Sequence, residues 1–169
     1  MSKKADVWVS AVIYVGIAIT ILTIVLAAGL PVINRMRDRN TITETKDILH
    51  SLDSIITGIV RDGPGSQRTP IIRITKGDFV FEGAGISWTL PNSKFMLSQP
   101  GETIEEGNLR IITTNSPVEG EYNIQITLSY SEINIEPTIK TLSGQYKLVI
   151  KNAGVVSGKV KVTIEELGI

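Results

Sequence analysis

The chain has 169 residues, with 17 basic and 17 acidic side chains. That balance, and the lack of any basic block, argues against a nucleic-acid partner. It has no cysteine, which excludes disulfide staples and thiolate metal sites.

The chain opens with a short dibasic lead, Met1-Ser2-Lys3-Lys4-Ala5-Asp6, and then runs from Val7 to Ile33 without a charged side chain. As a helix, these roughly 27 residues would reach about 40 Å, more than the ~30 Å of a bilayer's hydrocarbon core. So apolar a helix cannot stand alone in water; it needs lipid or a jacket of other helices. Three readings compete. A secreted-protein signal peptide fits the basic lead and the small residues at Val25-Leu26-Ala27, but the apolar run far exceeds the usual core length. A permanent single-pass anchor fits length and composition, with Trp8 near enough to one end for an interfacial ring. Flanking charge leaves its orientation open, since Lys3 and Lys4 oppose Arg35, Arg37 and Arg39.

The third reading comes from a resemblance. Lys3-Lys4-Ala5, followed by Asp6 and an uncut hydrophobic helix, resembles the N-terminus of archaeal type IV pilins and archaellins. The likeness covers roughly the first 60 residues. It implies recognition by a prepilin peptidase at Lys3, Lys4, Ala5 and Asp6, with cleavage after Ala5. The chain departs from the bacterial pilin pattern in having no glutamate five residues into the mature helix. The resemblance further implies a subunit that waits in the membrane and is then moved into a filament by an assembly ATPase and a membrane platform protein. Its polymer partner would be copies of itself. The filament core would be built from Val7, Trp8, Val12, Ile13, Tyr14, Ile17, Ile21, Leu22, Ile24, Val25, Leu26 and Leu30.

Beyond this segment the pattern stays helical but changes character. Gly29 and Pro31 predict a kink, and Thr41-Ile42-Thr43-Glu44 has capping-box spacing for a restart. Ile48, Leu49, Leu52, Ile55, Ile56 and Ile59 then recur on one helical face, a stripe suited to packing on a sheet. Gly63-Pro64-Gly65 ends the helix. Residues 1–5 thus form a leader, 6–62 a hydrophobic-then-amphipathic helix, and 66–169 a head.

The head shows short apolar runs between turn residues: Pro70–Thr75, Phe79–Phe81, Ile86–Leu90, Lys94–Leu97, Leu109–Thr113, Tyr122–Tyr130, Tyr146–Ile150 and Val160–Ile164. This spacing predicts an α+β protein whose head is an antiparallel, immunoglobulin-like β-sandwich. The last two runs read as a final hairpin, whose Lys147, Lys151, Lys159 and Lys161 mark either a charged edge or a solvated face.

No constellation for catalysis is evident. His50 is the single histidine, and one imidazole without a paired ligand makes no zinc site. Glu105-Glu106 and Glu165-Glu166 are adjacent carboxylates that point to opposite sides of a strand. Gly83-Ala84-Gly85 opens a strand rather than a helix and is no phosphate loop. No Asn-x-Ser/Thr frame is present. The expectation is a non-enzymatic chain without cofactor or metal: a filament subunit at the cell surface, anchored in the membrane before assembly. The alternative is a membrane-anchored extracytoplasmic binding module, such as a minor pilin or adhesin.

Overall fold

A computed structural model describes the backbone of residues 3–167 and the side chains of residues 11–167. It contains one helix, α1 (Lys3–Asp62), followed by nine strands. These are β1 (Gln67–Arg68), β2 (Ile71–Glu82), β3 (Gly85–Ser93), β4 (Thr103–Glu106), β5 (Leu109–Asn115), β6 (Tyr122–Ser129), β7 (Ile133–Pro137), β8 (Thr141–Val156) and β9 (Lys159–Leu167). The chain divides into two compact units, Met1–Arg37 and Asp38–Ile169.

The second unit is α+β, with its strands curled as a half-barrel. The strands do not form the two facing sheets of a sandwich. They join in one sheet of order β4-β5-β6-β3-β2-β8-β9-β7, with β1 also on β8. All pairs are antiparallel except β7 with β9. The reason lies in the helix. Ile42, Leu49, Leu52, Ile56 and Ile59 are buried in the same core as Phe79, Ile86, Trp88, Ile126 and Ile150. The helical stripe supplies the second layer that another sheet would supply in a sandwich. At ~2 kcal/mol for each fully buried Leu or Ile, those five side chains contribute on the order of 10 kcal/mol of gross burial.

Strand boundaries also differ from the sequence reading. Pro70–Thr75 and Phe79–Phe81 are parts of one strand, β2, and Lys76-Gly77-Asp78 is a register shift within it. Gly77 sits at φ +82, where a Cβ would lie 2.5 Å from Nε1 of Trp88 and 2.6 Å from the Thr89 carbonyl oxygen. The buried Trp88 donates from Nε1 to the Lys76 carbonyl oxygen at 3.0 Å, so the bulge provides an acceptor the indole needs. Lys94–Leu97 is a bent segment rather than a strand, held at its start by Asp38, which accepts the Lys94 N–H. The short β4 had no apolar alternation to announce it.

The terminal hairpin of β8 and β9 is present. It turns at Ser157 and Gly158, both with positive φ, as a two-residue hairpin turn requires. The Asn152-Ala153-Gly154 stretch is instead an irregularity inside β8. Because β8 lies between β2 and β9, its lysines mark no sheet edge.

Candidate functional site

The helix α1 is one element, Lys3–Asp62, with Pro31 inside it, so the predicted restart at Thr41 does not occur. Thr41 is instead a buried position within the helix, and nothing caps there. Gly29 and Pro31 lie within the helix as well. Proline lacks the N–H that would bond one turn back, so one backbone acceptor here is left without its helical donor.

From residue 11 to 33 every position is exposed except Gly29, which is half-buried. Val12, Ile13, Tyr14, Ile17, Ile21, Leu22, Ile24, Val25, Leu26 and Leu30 all present half or more of their surface. Val7 and Trp8, with the peptidase positions Lys3, Lys4, Ala5 and Asp6, have side chains outside the described residues. The two threonine hydroxyls in the segment are already satisfied. Thr20 donates to the Gly16 carbonyl oxygen at 2.8 Å and Thr23 to that of Ile19 at 2.8 Å. This back-bonding hides the polarity of both threonines inside the helix. The helix is long and apolar enough to cross a membrane.

The second unit holds its part of the helix by polar contacts along its length as well as by the apolar stripe. The stripe comprises buried Leu49, Leu52, Ile56 and Ile59 with half-buried Ile48 and Ile55. Its extension was missed: Asp38, Thr41, Ile42 and Thr45 are also buried. They continue the three- and four-residue spacing, but three of the four are polar, and a hydrophobic count passes over them. Asp38 accepts from Lys76 Nζ at 2.8 Å and from the Lys94 backbone N–H at 2.8 Å. Lys46 pairs with Glu106 at 2.7 Å, and His50 stands 4.0 Å from the same carboxylate. Glu105 turns the other way, toward Arg110. Further along, Asp53 accepts from the Tyr130 hydroxyl at 2.9 Å and the Asn108 amide at 3.0 Å. Burial, then the charge of Asp53 and its hydrogen bond, push the Tyr130 phenol well above its ordinary range. The helix therefore enters the core as a fixed element, with no buried side-chain polar atom left unpartnered among the described residues.

No group of His, Asp or Glu among the described residues is placed to hold a metal ion. One open groove stands out. Its walls are the helix flank, with Arg39, Glu44, Asp47 and Ile48, and the start of β2, with Ile71 and Arg73; its volume is about 790 Å³. Arg35, Arg37 and Arg39 are exposed, and none makes an ion pair among the described residues.

Comparison with protein-family models, curated proteins and solved structures finds no match. The functional reading therefore rests on the contrast within α1. One stretch of it is covered by its own sheet, and the other is apolar and bare.

Proposed function

We propose that the chain is a structural subunit of a type IV pilus-like extracellular filament, polymerising through its N-terminal apolar helix with its β-rich unit on the outside. The observation that carries this is the bare apolar surface of residues 11–33. At ~25 cal/mol per Å², each exposed Ile, Leu or Val left in water forgoes roughly 1.5–3 kcal/mol, and more than ten of them rule out a lone helix in solvent. Lipid answers that demand before assembly, and a bundle of identical helices answers it afterwards. The exchange is near-neutral in apolar burial, so modest contacts between helices and between heads decide the direction. The sequence lead Lys3-Lys4-Ala5-Asp6 supports processing by a prepilin peptidase, and the filament's partners would include that peptidase, an assembly ATPase and a membrane platform protein.

The second reading is a permanently anchored binding module, favoured by the match of the same segment to a bilayer. Two measurements separate them. Surface appendages purified from native cells would contain this chain, and mass spectrometry of that chain would find it beginning at Asp6. An intact N-terminus on a chain confined to membranes, with no fibre containing it, would sink the filament reading and leave the anchor.

A further inference from the structure

The start of β2 is an unpaired strand edge within the second unit. The Leu148 N–H donates to the Pro70 carbonyl oxygen at 3.0 Å, and the register continues as Ile72 opposite Tyr146 and Ile74 opposite Gly144. In an antiparallel ladder, alternate residues turn their N–H and C=O groups toward the partner. Ile71 and Arg73 therefore aim theirs away from β8. On that side β3 begins its pairing only at Asp78, so no strand among the described residues pairs with those two there. The groove walled by the helix flank and Ile71–Arg73 lies along this edge. Ile71, a large apolar side chain, is 65% exposed there.

We infer that this edge accepts an extended strand from a second copy of the chain, and that the donor is β4. The inference rests on the filament reading above. Two observations select the donor. β4 ends the sheet order and pairs only with β5. The strand at the opposite end, β7, has the Ile135 N–H occupied by the Gly83 carbonyl oxygen, and it carries Pro137, which has no N–H to offer. Each surface carries charges of both signs: the groove holds Arg39 and Arg73 together with Asp47 and with Glu44, which accepts from the Thr75 hydroxyl, and the β4 side holds Glu102 and Glu105 beside Arg110. Arg39, Arg73, Asp47 and Glu102 make no ion pair among the described residues, and Glu105 meets Arg110 only at 3.5 Å.

Added main-chain bonds supply the affinity in this mode of recognition, and the flanking side chains set register. Because donor and acceptor are different surfaces, the contact is head-to-tail, and each copy that accepts a strand still has its own β4 to give. It therefore propagates, as a filament requires.

The lack of cysteine in the native chain makes the test clean. Full-length Arg73→Cys/Glu105→Cys is oxidised both in filaments and in vesicles packed with the chain. A ladder of disulfide-linked multimers from the double variant, and none beyond dimer from either single variant, is the expected result. A second variant, Arg73→Pro, removes one outward N–H and no ladder bond; it also gives up the exposed side-chain bond from Arg73 to the Gln145 Oε1. It is expected to reduce ladder formation in an Arg73→Pro/Ile71→Cys/Glu105→Cys background at least tenfold, against Ile71→Cys/Glu105→Cys, with thermal unfolding unchanged. Filaments seen in micrographs without a ladder would overturn strand addition while leaving the filament reading intact. A ladder in vesicles without filaments would do the reverse. Cross-linking of Arg73→Cys to itself alone would also overturn the proposal, since it would mean a two-fold contact.

Discussion

The side-chain amide of Asn152 donates to the carbonyl oxygen of Ile59 at 3.1 Å, across 93 residues of sequence. Its own oxygen accepts the Gly154 N–H at 2.8 Å, and its backbone bonds Gly65 and Ser66. The last turn of α1 leaves carbonyls without helical donors, and β8 reaches over to supply one. Asn152 is 2% exposed, so water cannot replace it.

Asn152→Ala is therefore expected to destabilise the second unit by about 1–3 kcal/mol, the usual consequence of stranding buried polar groups. Ser66 Oγ also donates to the Ile59 oxygen, which keeps the effect from being larger. Urea unfolding followed by circular dichroism checks this. The exposed neighbour Lys151→Ala is the control, expected to stay within about 0.5 kcal/mol of the parent.

Gly77→Ala is expected to be worse. The added Cβ meets both Trp88 and the Thr89 backbone, and the positive φ resists any side chain. A loss of more than about 2 kcal/mol follows from strain together with a displaced indole. A lowered thermal midpoint with altered Trp88 emission would report it; an unchanged midpoint would refute the role given to the bulge.

Tyr130 predicts a pH dependence with a definite sign. Its phenol titrates higher in the folded chain than in the unfolded one, so the stability it lends is fully present below about pH 10 and is lost as pH rises beyond that. The parent chain should lose roughly 1.4 kcal/mol per pH unit above 10 that Tyr130→Phe does not lose. At pH 8 the variant should be the weaker by about 1–2 kcal/mol, having surrendered a hydrogen bond to a carboxylate. Parallel stability curves across pH 8–12 would contradict this.

Ile21→Lys places a charge in the middle of the bare apolar segment. On the filament proposal it is expected to abolish assembly while leaving the unfolding midpoint of the second unit unchanged, because Ile21 is exposed in the chain itself. Charge at the centre of a membrane segment costs roughly 2.5–3.5 kcal/mol on insertion scales. Ile21→Leu should assemble normally. Electron micrographs of both variants decide the matter.

Much of this was legible in the residues. The apolar run, the stripe from Ile48 to Ile59, the end of the helix at Gly63 and the terminal hairpin all declare themselves through periodicity or turn chemistry. What escaped has a common cause. Asp38, Thr41 and Thr45 are core positions filled by polar groups, which a hydrophobic count passes over, and for Asp38 only its distant partners, Lys76 and Lys94, show why it is buried. Gly77 read as a turn because a bulge and a turn use the same residue. A sandwich was expected because nothing in strand spacing tells whether a facing layer is a sheet or a helix. The groove beside β2 arises from which strands stop early, and that is a property of pairing rather than of any one segment.

Asp38 to Asp62 is at once the last part of α1 and the inner lining of the half-barrel. A truncation that began at Thr69, keeping every strand from β2 onward, would remove Ile42, Leu49, Leu52, Ile56 and Ile59 and leave a hollow trough. Any soluble fragment cut for study must carry the chain from Asp38. Pulled on at Asp38, the second unit would feel the load as shear across this buried lining, and it would have to lose its own interior before that stretch of helix came free.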